Sequence, residues 1–315
     1  MKLIYEYKII SDMNKKVLII GNGFDLDLGL ETSYVSFMNS SFFNDLRHQY
    51  SLIEYLCNGK NGKRWIDIEE GLKQFAIRNG RDTCVMNQCK KAYNLLIHAL
   101  KSYLNTIDYS KIKKESIASK LFNNVIQNGY FEILDFNYTN LVKIKTALGI
   151  NANIEYKHVH GSLENDSIIL GFEDNVDVLK SCYFMIKSHN PYYSSCNVRA
   201  TLENADEVVF FGHSLGCTDY HYFSDFFEVQ SGLEGNDVKS KKIRIFTYDE
   251  DSRLKLLEQL REMNKRRINY LYDLNDLKFY KTSEPSCLEK VEEYFVDLQS
   301  CSRKRHEEMI KSFTI

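Results

Sequence analysis

Four short segments of the chain place glycine, histidine and amide side chains directly after apolar, strand-like runs. They are Gly21-Asn22-Gly23-Phe24-Asp25, 135–140, 158–161 and 212–219. Histidine titrates near neutral pH and can accept a proton, and asparagine both donates and accepts hydrogen bonds. Because the carboxyl ends of parallel strands meet at one edge of a sheet, we expect these groups to form a single site.

The segment from Val17 to Leu30, VLIIGNGFDLDLGL, is typical of a chain that brings its backbone to a phosphate. Its apolar start has the length and branching of a buried strand. Gly21 and Gly23 permit a tight turn in which N–H groups approach an anion without a Cβ in the way. A full dinucleotide fingerprint needs a third glycine at fixed spacing, and Gly29 comes too late for it. A glycine turn that binds no ligand therefore stays open as the alternative.

Apolar runs of strand length recur along the chain and are separated by helical patterns. The predicted strands after the first are 130–136, 154–159, 167–172, 207–212 and 242–248.

Apolar spacing of three and four residues predicts helices through a block at about 34–129 and through a C-terminal tail at about 249–315. The alternation of strands and helices predicts a single α/β domain over 1–315. Its sheet is expected to be mostly parallel and Rossmann-like, with helices on both faces and the block as a large helical insertion. Residues 1–12 are either a short extra strand or an upstream extension.

The composition indicates a globular cytoplasmic protein. The 315 residues carry a net charge of -2, which gives no general attraction for nucleic acid or for a membrane surface. No apolar run approaches the roughly 18 residues of a membrane span, and the N-terminus lacks the pattern of a signal peptide. The eight cysteines form no C-x-x-C pair, which suits reduced thiols. The basic clusters 265–267 and 303–305 are interpreted as solvated helix faces.

Histidine and cysteine spacing raises the alternative of a metal site. His158 and His160 share one face of a predicted strand, and His213, Cys217 and His221 recur every four residues. The second set begins in a glycine-containing turn rather than on a helix, which speaks against zinc ligation. We therefore expect no metal.

The motifs together resemble those of a known family. The segments IIGNGFDL and GLxTSY near the start, NYTN and HxHG in the centre, and GHSLGxTDxxYF later resemble, in the same order, the bacterial abortive infection AbiH family. This resemblance covers about 15–248. AbiH proteins in turn resemble, more distantly, the sirtuin-like NAD-binding superfamily. Gly21-Asn22-Gly23 is similar to the sirtuin G-A-G loop, Asn137 to the asparagine of T-Q-N-I-D, His160-Gly161 to the catalytic H-G, and 212–215 to G-T-S-L.

The sirtuin resemblance implies NAD as substrate or ligand. His160 is then the base that deprotonates a ribose hydroxyl or an attacking water, and Asn137 holds that group in line with the anomeric carbon. The nicotinamide–ribose bond has a good leaving group, so geometry and one base suffice. The residues expected to bind the cofactor are Gly21, Asn22, Gly23, Phe24, Asp25, Thr32, Gly212, His213, Ser214 and Asp219.

Two departures from the sirtuin pattern separate the chain from protein deacylases. It has no counterpart of the four-cysteine zinc module, and 31–34 read Glu-Thr-Ser-Tyr where sirtuins place a proline and an arginine. The resemblance therefore implies an antiphage abortive-infection effector that hydrolyses NAD to nicotinamide and ADP-ribose.

Other roles stay open for the same residues. His160 would equally serve as a backbone-bonded histidine at a strand end, and Asn137 as an Asx-turn residue. One alternative function is a non-catalytic sensor that binds NAD or an ADP-ribose derivative. Another is a nucleic-acid-directed toxin in which Asp25, Glu69 and Asp219 hold a metal, although the balanced charge disfavours nucleic acid as a partner.

The helical block offers one further candidate. Trp65, Asp67 and Glu69 form a W-x-D-x-E element that resembles one in AbiH proteins, and Glu69 would then reach the site from the block. Packing and favourable helix-dipole charge are the commoner reasons for such residues. The partners expected are a small-molecule nucleotide, together with further copies of the chain or a phage-derived trigger, and no membrane.

Overall fold

Six parallel strands form one sheet in the computed structural model, which describes residues 15–58, 68–127, 131–152, 154–216, 218–233 and 238–313. The strands are β1 (Lys16–Ile20), β2 (Phe131–Asp135), β3 (Tyr156–His158), β4 (Glu207–Phe211), β5 (Lys242–Thr247) and β6 (Asp276–Lys281). They lie in the order β3-β2-β1-β4-β5-β6, so the strand order reverses between β1 and β4. This is the order of a doubly wound Rossmann-like sheet, which confirms the predicted α/β fold class.

Some sequence predictions fall outside the described residues. They concern residues 1–12, Trp65, Asp67 and Cys217. For Thr83 and 301–313 the backbone alone is described.

Helices cover both faces of the sheet and fill the block between β1 and β2. Those before β2 are α1 (Asn22–Asp27), α2 (Tyr34–Asn39), α3 (Ser41–Asn44), α4 (Ser51–Cys57), α5 (Ile68–Asn79), α6 (Thr83–Leu104) and α7 (Ile117–Gln127). Those after it are α8 (Leu141–Ala147), α9 (Val198–Asn204), α10 (Tyr220–Gln230), α11 (Glu250–Met263), α12 (Ile268–Leu274) and α13 (Cys287–Phe313). Short 3-10 turns lie at Tyr109–Lys111, Lys180–Met185 and Lys187–His189. Among the described helices, none is long and apolar enough to cross a membrane.

Alternate residues of β1 pack against helices on opposite faces of the sheet. Val17 and Ile19 contact the core under α9, α10, α11 and α12, whereas Leu18 and Ile20 contact the core under α1, α7, α8 and α13. Successive side chains of a strand point to opposite faces, so a strand that is apolar throughout is stable only when both faces are covered. Each of these buried side chains contributes roughly 1.5–3 kcal/mol. The sequence VLII therefore explains the central position of β1.

The helices from α2 to α6 bury a core of their own, and residues 167–172 join it. Ile168, Leu170 and Phe172 pack among these helices instead of extending the sheet. Within the described chain, the segment pairs only through an isolated bridge from Phe172 to Ile186. The strand prediction for 167–172 was wrong because apolar spacing records burial and does not identify the pairing partner.

The tail predicted as helical at about 249–315 contains the strand β6. This strand pairs in parallel with β5 at the edge of the sheet. Leu277 packs on one face of the sheet and Tyr280 on the other, while Asp276 and Lys278 are exposed. This strand has six residues, and three of them are charged. In composition it resembles the charged helices beside it, so the sequence pattern did not distinguish the strand from a helix.

The loops after β1 and β4 touch through their backbones. The Gly21 N–H donates to the Phe211 carbonyl at 3.0 Å, and the Gly23 N–H donates to the Gly212 carbonyl at 2.9 Å. A Cβ added to Gly212 would lie 2.4 Å from the Gly23 Cα. Gly212 also has a φ of +63°, in the left-handed region that glycine adopts without strain. Gly23 and Gly212 therefore allow the backbones of the two loops to touch at the point where the strand order reverses.

Gly212→Ala is expected to lower the free energy of unfolding by at least about 2 kcal/mol more than Gly149→Ala. Gly149 has a similar φ of +74°, but an added Cβ would meet no atom within 4 Å. Both substitutions carry the cost of a left-handed backbone, roughly 1–2 kcal/mol, and only the first adds overlap with Gly23. Urea unfolding of both variants measures the difference, and equal losses would show that the two loops separate freely.

Candidate functional site

The carboxyl ends of four strands bring several predicted residues to one edge of the sheet. Asn137, after β2, donates through Nδ2 to the Gly21 carbonyl after β1 at 3.1 Å. The rings of His160, after β3, and His213, after β4, lie edge-on to Phe136 with centroids 5.3 and 4.5 Å away. The structure therefore packs His160 and His213 on one aromatic ring and ties Asn137 to the loop after β1.

A buried chain of charged side chains joins this edge to the helical block. The Nε2 of His160 lies 2.7 Å from Oδ1 of Asp219. The Nζ of Lys187 lies 3.1 Å from the same oxygen and 3.0 Å from Oε2 of Glu69, in the first turn of α5. One ammonium group thus connects three parts of the chain that are far apart in sequence. Glu69 therefore contacts this cluster from the helical block, which is the less common of the two roles that the sequence allowed.

Lys187 and Asp219 are both ionised at neutral pH. Burial alone disfavours an ammonium ion, but the carboxylates of Asp219 and Glu69 raise the pKa of Lys187 above its ordinary value. Burial likewise disfavours a carboxylate, yet Lys187 and His160 hold the pKa of Asp219 well below its usual range. Mutual pairing therefore keeps the fully buried ammonium group of Lys187 and the half-buried carboxylate of Asp219 in their charged forms.

His160 is neutral at pH 7. Burial, followed by the charge of Lys187, lowers its pKa from 6.5 to about 4, and Asp219 only partly opposes this. The sequence predicted a histidine that titrates near neutral pH, and that prediction was wrong because burial and a cationic neighbour act in the same direction. Nε2 lies 2.7 Å from the Asp219 carboxylate and 3.4 Å from the Lys187 ammonium group. Because the carboxylate is the closer partner, we assign the proton to Nε2 and the free lone pair to Nδ1. That Nδ1 atom is buried and has no hydrogen-bond partner within the described structure.

His213 approaches Asp219 from another side. The backbone N–H of Leu215 donates to Nδ1 of His213 at 3.0 Å, which leaves Nε2 free to act as a donor. This Nε2 lies 3.5 Å from Oδ2 of Asp219. Both oxygens of Asp219 therefore face nitrogen atoms, and the carboxylate is fixed in one orientation.

The predicted phosphate-binding loop already uses most of its N–H groups. Those of Gly21 and Gly23 donate to the loop after β4, and that of Phe24 donates to the Gly21 carbonyl at 2.9 Å. The ring of Phe24 lies in the apolar core, edge-on to Phe122 and Phe211. An incoming phosphate would find these three N–H groups bonded, so the structure gives the glycines a packing role.

Three of the other predicted contacts remain near the surface. The Thr32 hydroxyl donates to Oδ1 of Asn22 at 2.7 Å, and both residues are half-buried. Ser214 is exposed, and its hydroxyl accepts a hydrogen bond from the Gly216 N–H at 3.3 Å. Asn22, Thr32 and Ser214 are therefore more accessible to solvent than His160, which is 4 % exposed.

Asp25 belongs to a second buried cluster, at the ends of β1 and β2. Thr139 donates to Oδ2 of Asp25 at 2.9 Å. Oδ2 of Asp135 lies 3.1 Å from Nδ1 of His158, without an aligned hydrogen bond. Burial, with the nearby charge of Asp135, raises the pKa of Asp25 to about 8. Burial therefore favours the neutral carboxyl of Asp25, whereas the sequence suggested a carboxylate acceptor for ribose.

The two clusters bear on the alternative in which three acidic residues hold a metal. Glu69 and Asp219 share the ammonium group of Lys187, which lies where a metal ion would have to sit. Asp25 belongs to the other cluster. Within the described residues, no group of three or more histidine, cysteine, aspartate and glutamate side chains could hold a metal ion.

Sequence reasoning missed Lys187. It follows the apolar run 182–186, in a segment with neither strand nor helix periodicity. Its backbone N–H donates to the Phe172 carbonyl at 2.9 Å, which fixes the turn beside the helical block. The sequence held one signal for it. A lysine that directly follows an apolar run is drawn into the interior with that run, and a buried lysine needs a charged partner.

A comparison with known families agrees with the motifs. Residues 17–234 match the family described as bacteriophage abortive infection AbiH. The chain belongs to the AbiH family. This AbiH protein therefore has a role in phage abortive infection, and the matched range includes every predicted site residue from Gly21 to Asp219. No curated protein and no solved structure matches the chain. The likeness to sirtuins stays a prediction.

Lys187→Met is expected to lower the free energy of unfolding of this AbiH protein by about 3–5 kcal/mol, because it removes the buried ammonium group that pairs with Glu69 and Asp219. The matched control is Lys101→Met, which removes a lysine paired at 2.7 Å with Asp166, an exposed carboxylate. That change should cost no more than about 1 kcal/mol. Urea unfolding measures both values. Equal costs would contradict a central role for Lys187, and adding Asp219→Asn to Lys187→Met should recover part of the loss.

The pH dependence of stability tests the neutral state of His160. Because its pKa is about 4 in the folded chain and 6.5 when unfolded, the unfolded chain binds more protons between these values. Stability from this group is therefore complete above pH 6.5 and is lost as the pH falls toward 4, by about 3 kcal/mol. His160→Gln keeps a donor for Asp219 but does not titrate. The difference in unfolding free energy between wild type and variant should shrink over this window, and a constant difference would refute the assignment.

Proposed function

We propose that this AbiH protein hydrolyses NAD to nicotinamide and ADP-ribose during phage infection, at the carboxyl edge of β1 and β4. The observation that carries the proposal is the state of His160. It is a neutral imidazole held by Asp219, and its Nδ1 is buried without a hydrogen-bond partner in the described structure. Ligands of doubly wound sheets bind where the strand order reverses, which is the edge that holds His160 and Asn137.

The reaction breaks one bond and forms another. The bond between ribose and nicotinamide breaks, and its electron pair leaves with the nicotinamide ring, which thereby loses its positive charge. A water oxygen bonds to the anomeric carbon and passes a proton to Nδ1 of His160. Asp219, 2.7 Å from Nε2, stabilises the imidazolium ion that results. Such a base contributes roughly 10²- to 10⁴-fold in rate.

Asn137 and Asp25 position the reactants in this scheme. The Nδ2 of Asn137 is fixed by the Gly21 carbonyl at 3.1 Å, so its side-chain amide has one orientation. A fixed amide can hold a water or a ribose hydroxyl in line without a further loss of entropy. The protonated carboxyl of Asp25 adds a hydrogen-bond donor to the same edge.

A second function, binding of NAD or ADP-ribose without turnover, is favoured by the position of Lys187. Its Nζ lies 3.4 Å from Nε2 of His160, and its charge opposes protonation of the ring. A group whose pKa is about 4 is a weak proton acceptor at pH 7. In this case the protein acts as a sensor, and ligand binding changes its assembly or its partner.

His160→Ala is expected to abolish the loss of NAD. The measurement is the NAD concentration over time in phage-infected cells that carry wild type, His160→Ala or His98→Ala. His98 is an exposed histidine of α6, so the last variant controls for the loss of an imidazole away from the sheet edge. We expect NAD to collapse with wild type and with His98→Ala, and to stay at the uninfected level with His160→Ala.

Unchanged NAD during effective protection would contradict hydrolysis. Calorimetric titration of NAD into the purified wild type, with chromatography of the products, then separates the two functions. Binding of NAD without release of nicotinamide supports the sensor. If NAD neither binds nor releases nicotinamide, both functions are ruled out. A melting curve of His160→Ala shows whether the variant is folded before its activity is compared.

A further inference from the structure

A cleft of about 340 Å³ lies in the helical block, and it shares no lining residue with the site at the sheet edge. One wall comes from α6 and the other from the Lys180–Met185 turn. The cleft is lined by Met86, Asn87, Lys90, Lys180, Ser181 and Phe184. Its volume is near the lower end of the range of roughly 300–1,000 Å³ that is usual for small-molecule sites.

Two lysines give the rim of the cleft a positive charge. Lys90 and Lys180 are both exposed, and within the described part of the chain neither is paired with a carboxylate. They come from opposite walls of the same cleft. Lysine binds phosphate groups as a compact point charge. The rim therefore suits a ligand with a phosphate group.

The interior of the cleft suits a flat ring. Met86 is buried, and the half-buried ring of Phe184 lies edge-on to Tyr93 with centroids 5.4 Å apart. Asn87 is exposed and offers both a donor and an acceptor to the edge of a heterocycle. The Ser181 hydroxyl donates to the Gly80 carbonyl at 2.9 Å, so it fixes the wall rather than serving as a donor to the anion.

We propose that this cleft is a second ligand site and that it binds a mononucleotide. The phosphate lies between Lys90 and Lys180, and the base packs against Met86 and Phe184. The volume of about 340 Å³ suits a ligand of the size of a mononucleotide. The site requires neither NAD binding nor NAD hydrolysis, because its residues are separate from those at the sheet edge.

A ligand in this cleft contacts the segment that positions Lys187. Lys180 and Phe184 lie in the 3-10 turn that directly precedes the turn of Lys187. Phe184 also packs on Tyr93, whose hydroxyl donates to the Leu170 carbonyl at 2.6 Å. Contacts to this segment reduce its local opening, so the mononucleotide stabilises the position of the Lys187 ammonium group beside His160. The cleft is therefore a regulatory site for the sheet edge.

The test is calorimetric titration of the full chain with AMP, adenosine and inorganic phosphate at low salt. Lys90→Gln and Lys180→Gln each remove one ammonium group, and Lys91→Gln is the matched control. Lys91 is also exposed on α6 but does not line the cleft. We expect AMP to bind wild type and Lys91→Gln equally, and to bind each cleft variant at least about fivefold more weakly. Adenosine and phosphate should each bind more weakly than AMP.

Hydrogen exchange gives a second readout. We expect AMP to slow the exchange of backbone amides at 180–189 in wild type and in Lys91→Gln, and to slow it less in the two cleft variants. No AMP binding, or equal binding by the cleft variants and wild type, would overturn the proposal. Phosphate that binds as tightly as AMP would also overturn it, because the apolar interior would then play no part. These outcomes do not depend on whether NAD is hydrolysed.

Discussion

One buried ammonium group, that of Lys187, holds together the parts of the structure that surround the site. Moving an ammonium ion out of water costs several kcal/mol, and only close carboxylates offset this cost. Glu69, from the helical block, and Asp219, from the loop after β4, lie 3.0 and 3.1 Å from it. This one cation therefore links the helical block, the turn of Lys187 and the sheet edge, in addition to the apolar packing between them.

The same cation determines the chemistry of its neighbour His160. Burial and the positive charge keep the imidazole neutral, while Asp219 decides which nitrogen carries the proton. A neutral, oriented imidazole is the form that accepts a proton, but the charge that keeps it neutral also weakens it as a base. The charge that fixes the neutral form of His160 therefore also lowers its affinity for a proton. Ligand binding must raise that affinity if His160 is to act as a base.

The sequence revealed those features that leave a local pattern. Central strands such as β1 and β4 are buried on both faces and read as continuous apolar runs, and the residues after them were expected to meet at one edge. The edge strand β6 was missed because it is short and partly charged, and 167–172 was misread because its burial is against helices. Lys187 was not predictable in its role, because its partner Glu69 is 118 positions away (187 minus 69) and no local spacing records such a pair.

Both histidines of the site rest on the ring of Phe136, with centroid distances of 5.3 Å to His160 and 4.5 Å to His213. A side chain without any polar atom therefore sets the spacing of two polar ones. Protein interiors are close-packed, so a change of even one methylene in such a ring is felt by its neighbours. The consequence is evolutionary. The size of the residue at this position is constrained together with both imidazoles, and the three positions are expected to change together or not at all.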